Sequence, residues 1–147
     1  MKDEKKELLL ENLEMLEKSL SYLSESYERC KKIGIKESYE SQELVEFEAL
    51  TSRFARSVDI LTSRVIRSFL KFLREEKKTL IDVANYLEKL EIVKSADELL
   101  VLRDVRNLIA HEYVFEKVEE IFEEVLNQTP KVFEISEKIK RFLKDYL

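Results

Sequence analysis

The stretch LLENLEMLEKSLSYLSESYERC, residues 9–30, decides the fold class. Its apolar residues recur at alternating steps of four and three: Leu9, Leu13, Leu16, Leu20, Leu23, Tyr27 and Cys30. This spacing places one apolar seam along a helix of about 30 residues. Gly34 is expected to end the helix, because glycine readily takes the left-handed conformation that closes a helix. The seam favours a long helix of a bundle, and contact with a partner subunit is the alternative.

A second long helix is predicted from about Gln42 to Lys77. Its inner face is expected to hold Phe47, Leu50, Phe54, Val58, Leu61, Val65, Phe69 and Phe72. Its remaining surface carries Arg53, Arg56, Arg64, Arg67, Lys71 and Arg74, a basic side in an acidic protein. Charge of this kind usually solvates a helix, so the basic side does not by itself indicate a ligand.

Two shorter helices are predicted from their N-caps. Thr79 and Ser95 are each followed three positions later by an acidic residue, Asp82 and Glu98, as in a capping box. The helices that they open are expected over about 80–90 and 96–110, by the apolar spacing that follows each cap.

The last helical region is predicted from about Phe115 to the end of the chain. Thr129 and Pro130 interrupt it, and a restart or kink is expected there with Thr129 as the cap. The sequence shows no low-complexity linker and no repeat. We therefore expect an all-α fold, an antiparallel bundle of four to five helices that forms a single domain over residues 1–147.

The composition excludes several classes of protein. With one Gly and one Pro in 147 residues, the chain lacks the turns of an all-β fold and the Gly-rich loop of a nucleotide-binding α/β fold. One Cys and one His leave no disulfide and no ligand spacing for a metal, so no metal or cofactor is expected. No apolar run approaches the ~20 residues of a membrane span, which predicts a cytoplasmic protein with no membrane partner. The net charge of −5 argues against indiscriminate nucleic-acid binding.

Polar side chains that are suited to catalysis or anion binding are concentrated in RDVRNLIAHEY, residues 103–113. Arg103, Asn107 and His111 follow one another at steps of four and form a polar ridge, while Ala110 leaves a shallow space where an anion fits. The opposite, apolar sector is expected to face the core: Val101, Leu102, Val105, Leu108 and Ile109.

Arg106 and His111 are five residues apart, about 140° around an ideal helix, so they do not share a face. Their joint action requires that the helix end near His111 or that a second copy of the chain complete the site. That geometry favours a dimer. Each of these residues also has a structural interpretation. His111 can be placed near the helix C-terminus because the helix dipole favours an imidazolium there. Arg103 and Arg106 can pair with surface carboxylates, and Tyr113 can belong to the core.

The stretch from Arg106 to Tyr113 resembles the Arg-x4-6-His signature of the HEPN superfamily of helical ribonucleases and nucleotide-associated domains. The narrower pattern Arg-x4-His-x-Tyr is similar to that of HepT toxins from MNT–HEPN toxin–antitoxin pairs. The resemblance implies that Arg106 and His111 are the catalytic pair of a metal-independent endoribonuclease, with Asn107 and Arg103 as supporting phosphate-binding residues. It also implies a homodimer whose two motifs approach across the interface. Tyr113 would be the tyrosine that an MNT-type nucleotidyltransferase antitoxin modifies with AMP.

The chemistry of these side chains is compatible with RNA cleavage by the RNA's own 2′-hydroxyl. Histidine has an unperturbed pKa of ~6.5 and suits proton transfer, and arginine offers a fixed fork of donors to a phosphate. The alternative within the same superfamily is a non-catalytic nucleotide- or substrate-binding subunit of a two-component nucleotidyltransferase. A helical oligomerisation module, based on the seam of the first helix, is the third interpretation.

Overall fold

A computed structural model of the protein describes residues 3–111 and 118–146, and all regular secondary structure in these ranges is helical. The elements are α1 (Glu4–Ile33), α2 (Ser41–Ile60), a π-helical segment (Leu61–Ile66), α3 (Arg67–Phe72), α4 (Leu80–Lys89), α5 (Ala96–Ala110) and α6 (Val118–Lys144). Because α2, the π-helical segment and α3 follow one another without a break, we refer to residues 41–72 as the α2–α3 rod. The predicted all-α bundle is confirmed.

The first helix, α1, ends at Gly34 as predicted and begins after an Asp3 cap that was not predicted. The Asp3 carboxylate accepts hydrogen bonds from the backbone N–H groups of Lys5 and Lys6, at 3.1 and 3.3 Å, and so caps the first turn. Gly34 has φ 76° and its N–H donates to the Cys30 carbonyl at 2.9 Å. A side chain at this position would be strained by the left-handed backbone, which is why the glycine ends the helix.

The buried face of α1 differs from the predicted seam at five positions. Leu9, Leu16, Leu23 and Cys30 are buried as expected, but Asn12, Ser19 and Ser26 alternate with them, and Leu13 and Tyr27 are only partly buried. The three polar residues are seven positions apart, which brings them to one face of the helix. We call them the polar ladder.

Each residue of the polar ladder bonds to the α2–α3 rod. Asn12 Nδ2 donates to Ser68 Oγ at 3.2 Å and to the Arg64 carbonyl at 3.3 Å. The hydroxyls of Ser19 and Ser57 lie 2.6 Å apart. Arg53 Nη1 donates to Ser26 Oγ at 2.8 Å. The order of these partners along the rod shows that α1 and the rod are antiparallel, and most of the seam is buried within the chain.

The π-helical segment has a local cause in these contacts. The Arg64 carbonyl receives donors from two side chains, Asn12 Nδ2 at 3.3 Å and Ser68 Oγ at 2.7 Å. Side-chain donors that insert into a helical ladder widen it, and π-helical turns of this kind are frequent at functional sites. The wide turn carries Thr62 and Ser63 on the side of the rod that faces away from α1.

The rod ends at Phe72, five residues before the predicted end at Lys77. Arg74 takes a left-handed conformation with φ 58°, and the N–H of Glu75 donates to the Leu70 carbonyl at 2.9 Å. This is the Schellman ending that glycine usually provides. An arginine in that role gives no signal in the sequence, so the prediction continued the helix to the end of its charged residues.

The predicted N-caps of α4 and α5, Thr79 and Ser95, are confirmed. The hydrogen bonds of the Ser95 cap differ from those of the predicted capping box with Glu98. Thr79 Oγ1 accepts from the Asp82 N–H at 3.1 Å. Ser95 Oγ accepts from the Asp97 N–H at 3.1 Å, not from Glu98. The Glu98 carboxylate accepts instead from the Lys94 N–H at 3.3 Å and from Lys131 Nζ of α6 at 3.3 Å, which ties α5 to α6.

A restart or a kink was expected at Thr129, and the restart is wrong, because α6 runs through Pro130 without a break. Thr129 is fully buried, and its hydroxyl donates to the Val125 carbonyl at 2.7 Å, one turn back in the same helix. This bond keeps Thr129 inside the helix instead of capping a new one. The predicted start near Phe115 lies outside the described residues. None of the described helices is long and apolar enough to cross a membrane.

Candidate functional site

Helix α5 buries a narrower face than the sequence predicts. Leu102 and Val105 are buried as expected, but Val101 is 36% and Leu108 47% exposed. The helix packs on α2, α4 and α6, and these neighbours cover only one side of it. The prediction that Val101 and Leu108 face the core is therefore wrong, and the two form an exposed apolar pair on the outer side of α5.

Arg106 is joined to Asp59 of α2 by two parallel hydrogen bonds. Nε donates to Oδ1 at 2.7 Å and Nη2 donates to Oδ2 at 2.9 Å. The hydrogen bond to the Asp59 carboxylate raises the pKa of the Arg106 guanidinium above its ordinary value, against a smaller opposing effect of burial. The side chain of Arg106 is 31% exposed, so one part of it is held by Asp59 and another faces solvent.

This pairing leaves the end of the Arg106 guanidinium available. Arginine has five N–H donors, and Asp59 uses one on Nε and one on Nη2. The remaining three lie on Nη1 and Nη2, the edge that binds a phosphate or carboxylate with two parallel bonds. Asp59 therefore orients the guanidinium while leaving room for an anion.

Arg106 lies on a groove of about 630 Å³ between the α2–α3 rod and α5, which we call the α2–α5 groove. The rod contributes eight residues: Val58, Asp59, Thr62, Ser63, Ile66, Arg67, Leu70 and Lys71. The segment before α4 and its first turn contribute Glu75, Glu76, Lys77, Lys78, Thr79, Leu80 and Val83, and α5 contributes Arg103, Arg106 and Asn107. A volume of this size is within the range of small-molecule sites.

The groove brings together three of the predicted site residues, Arg103, Arg106 and Asn107. His111 is not among the residues that line it. The helix ends at Ala110, and His111 follows with φ −101° and ψ 14°, exposed, its N–H donating to the Asn107 carbonyl at 3.0 Å. The expectation that α5 ends near His111 is confirmed. Within one chain, however, this ending does not carry the imidazole into the groove of Arg106.

Tyr113, the predicted modification site, lies outside the described residues, as does the rest of the segment 112–117. Among the residues that are described, no cluster of three or more His, Cys, Asp or Glu side chains is arranged to hold a metal ion. The candidate site therefore consists of the α5 residues and their surroundings on the rod.

Cations outnumber anions along the groove. Asp59 is bound by Arg106, and Glu75 lies 3.9 Å from Lys77. Over residues 3–111 and 118–146, Arg67, Lys71 and Lys78 form no ion pair. Arg103 pairs with its neighbour Asp104, at 3.2 Å, and forms no other ion pair in the described ranges; both side chains are well exposed. Glu76 also lines the groove, so six cationic side chains share it with three carboxylates, and the lining carries a net positive charge in a protein of net charge −5.

Asp59 was not among the site residues predicted from the sequence. A signal was present, because Asp59 is the only acidic residue between Glu48 and Glu75 on a strongly basic stretch. An isolated carboxylate among arginines indicates a specific ion pair more strongly than one in a mixed surface does. Arg67 and Lys71 were predicted only as members of the basic side of the second helix. The sequence did not indicate that these two residues, unlike Arg53, Arg56 and Arg64, line the groove.

A comparison with protein-family models, a search of curated protein sequences and a search of solved structures each found no match to this chain.

Proposed function

We propose that this protein is a HepT-like toxin, a metal-independent endoribonuclease that acts in the cytoplasm and is neutralised by an MNT-type nucleotidyltransferase antitoxin. One observation carries the proposal: Asp59 orients Arg106 on a cationic groove that also holds Asn107 and Arg103. These are the residues that the Arg-x4-His-x-Tyr resemblance assigns to the phosphate.

The reaction needs one base, one acid and a clamp for developing charge. His111 takes the proton of an RNA 2′-hydroxyl, the 2′-oxygen attacks the adjacent phosphorus, and the bond from phosphorus to the 5′-oxygen breaks. The departing 5′-oxygen takes a proton from a solvent water, and the hydroxide so formed takes up the proton from His111, which leaves a 2′,3′-cyclic phosphate and a 5′-hydroxyl. Arg106 holds the non-bridging oxygens through its free Nη1 and Nη2 donors, and its positive charge offsets the negative charge of the transition state.

The proposed site includes His111 from a second copy of the chain. Within one chain, His111 lies beyond the end of α5 and outside the groove that Arg106 lines. A homodimer with the two motifs at its interface supplies the missing imidazole. The exposed pair Val101 and Leu108 lies on the same helix and gives such an interface an apolar contact.

Silencing is proposed to act at Tyr113. Transfer of AMP to its hydroxyl adds a negatively charged phosphodiester two residues from His111, which competes with RNA for Arg106. Mass spectrometry of the chain co-expressed with its partner nucleotidyltransferase is expected to show one AMP-sized increment, which Tyr113→Phe abolishes. An unmodified chain that is nevertheless neutralised would restrict the antitoxin to steric binding.

The cleavage proposal is tested with the variants His111→Ala and Arg106→Ala, assayed on RNA in the presence of EDTA. Each variant alone is expected to lose cleavage, and Arg64→Gln, which removes a cation outside the groove, is expected to keep it. Mixing the two inactive variants restores cleavage if Arg106 of one chain works with His111 of another. Cleavage by the folded His111→Ala variant alone would refute the proposal.

The position of His111 favours a second candidate function, a non-catalytic nucleotide-binding subunit of a two-component nucleotidyltransferase. The groove holds Arg103, Arg106 and Asn107 and is complete without His111. This candidate predicts that the wild-type chain binds nucleotide without cleaving RNA and that His111→Ala binds equally well. Loss of binding in Arg106→Ala alone would then identify the groove as the nucleotide site.

A further inference from the structure

The α2–α5 groove extends well beyond the residues of the Arg-x4-His motif. From Asp59, beside Arg106, it follows the rod through Ser63 and Arg67 to Lys71. These residues are spaced by four, so they form one continuous row on the same side of the helix. Twelve residues of α-helix measure about 18 Å, and the π-helical turn makes this row somewhat shorter, which is still longer than one nucleotide needs. The groove therefore has room for a ligand that continues past Arg106.

The chemistry of the groove changes from its rim to its floor. Arg67 and Lys71 are exposed on the rim and form no ion pair within the described residues. The apolar surface that a ligand can reach in the groove comes from Leu80 and Val83, which are partly exposed, while Val58, Ile66 and Leu70 also line the groove but are buried. A ligand that fits both parts carries negative charge at regular intervals and an uncharged planar or apolar group between the charges.

We infer that the α2–α5 groove binds the backbone of single-stranded RNA, with Arg67 and Lys71 holding phosphates that follow the one held by Arg106. The inference rests on the proposed function, and it assigns binding residues that the motif does not contain. Single-stranded nucleic acid is bound in this way elsewhere, by a positively charged groove that follows the backbone while the bases rest on side chains. A single strand is expected rather than a double helix, because only unpaired bases are free to rest on the side chains of the groove.

The test measures the binding of a fluorescent 12-nucleotide 2′-O-methyl RNA by anisotropy over a series of salt concentrations. The 2′-O-methyl group removes the nucleophile, so the wild-type chain binds this probe without cleaving it. The test variant is R67Q/K71Q. The matched control is R64Q/K18Q, which removes the same charge from exposed positions outside the groove.

The test variant is expected to lose about ten-fold or more in affinity, and the control about two-fold at most. Each phosphate contact to a single strand contributes about 0.7 to the slope of log affinity against log salt, so the slope is expected to fall by about 1.4. Equal losses in the two double variants would overturn the inference. Equally tight binding of a duplex of the same sequence would also overturn it, as would equally effective competition by ATP or by an acidic peptide.

This inference and the proposed function fail in different ways. If the probe binds through the groove but the wild-type chain does not cleave ordinary RNA, the nuclease is refuted and the inferred RNA binding is supported. Suppose instead that cleavage depends on His111 and Arg106, while R67Q/K71Q keeps the wild-type KM and probe affinity. That result supports the nuclease and refutes RNA binding by Arg67 and Lys71 in the groove. Circular dichroism of both double variants verifies that the substitutions, all at exposed positions, leave the fold intact.

Discussion

Asp59 binds the guanidinium of Arg106 with two parallel hydrogen bonds of 2.7 and 2.9 Å, and so joins the middle of the α2–α3 rod to the last turns of α5. A guanidinium that is already held loses less conformational freedom when it binds an anion. The pair therefore makes Asp59 a positioning residue for the proposed site, which acts through Arg106 and does not touch the substrate.

The first prediction concerns Asp59→Asn. Without the charge of Asp59, the Arg106 guanidinium is no longer fixed, and RNA cleavage is expected to fall by up to about 100-fold through a lower kcat. The free energy of unfolding is expected to change by about 1 kcal/mol or less, because both side chains are partly exposed. Steady-state kinetics and urea unfolding measure the two effects.

Asp104→Asn is the control for this prediction, since Asp104 also contacts an arginine, Arg103, but on an open surface. It is expected to leave kcat and stability almost unchanged. An Asp59→Asn variant with wild-type kcat, or with a loss confined to stability, would contradict the positioning role.

The second prediction concerns the middle bond of the polar ladder, between Ser19 and Ser57. Ser19→Ala leaves the hydroxyl of Ser57 buried without its partner, and Ser57→Ala does the same to Ser19, so each is expected to cost about 1–3 kcal/mol. The double variant is expected to cost less than the sum, because no hydroxyl is then left unpaired. Urea unfolding followed by circular dichroism measures all three. Strict additivity would show that the two hydroxyls do not interact.

The third prediction concerns Glu91, which ends α4 with φ 62°. Its N–H donates to the Glu88 carbonyl at 2.9 Å, and the next N–H donates to the Leu87 carbonyl, so the turn requires a left-handed residue. Glu91→Gly is expected to stabilise the protein by about 1 kcal/mol. The same substitution at Glu14, within α1, is expected to destabilise it by about 0.5–1 kcal/mol. Thermal melts in which Glu91→Gly lowers the Tm would disprove the assignment of this turn.

The fourth prediction concerns Cys30, which is fully buried on α1. Burial, with a contribution from nearby Glu46, raises the pKa of the Cys30 thiol to about 12. The native protein is therefore expected to resist alkylation and Ellman's reagent at pH 8, and to react fully after unfolding. Rapid modification of the native chain would contradict the burial of Cys30.

The same raised pKa predicts how stability depends on pH. The unfolded thiol ionises near its ordinary pKa of about 8.5, while the folded thiol stays protonated. The stability contributed by the Cys30 proton is therefore complete below that value and declines as pH rises from there toward 12. Urea unfolding between pH 8 and 11 is expected to show a decline that Cys30→Ala reduces.

Much of the fold follows from local rules in the sequence. Gly34, Thr79 and Ser95 act through their own backbone or side chain, so their positions predict where α1 ends and where α4 and α5 begin. The endings at Arg74 and Glu91 were not predictable in the same way. There a residue that rarely adopts φ > 0 is held in that conformation by the surrounding fold.

The candidate site was predicted only in part, because a helical wheel describes one helix at a time. It placed Arg103, Asn107 and His111 on one ridge and separated Arg106 from His111. The structure keeps Arg106 and His111 apart within a chain, but Arg106 lines the groove with Arg103 and Asn107, and His111 does not. It did not predict Asp59, which is 47 residues away in the sequence and meets Arg106 only after α2 and α5 pack together. Leu108 was assigned to the core because the wheel does not show which neighbours are present.

The polar ladder also bears on exchange of α1 between molecules. A slide of α1 by one turn along the rod would separate Asn12, Ser19 and Ser26 from all of their partners at once. A domain swap, in which α1 of one molecule packs on the rod of another, would preserve every one of these bonds. The ladder therefore specifies the register and direction of the helix pair without specifying which polypeptide supplies α1.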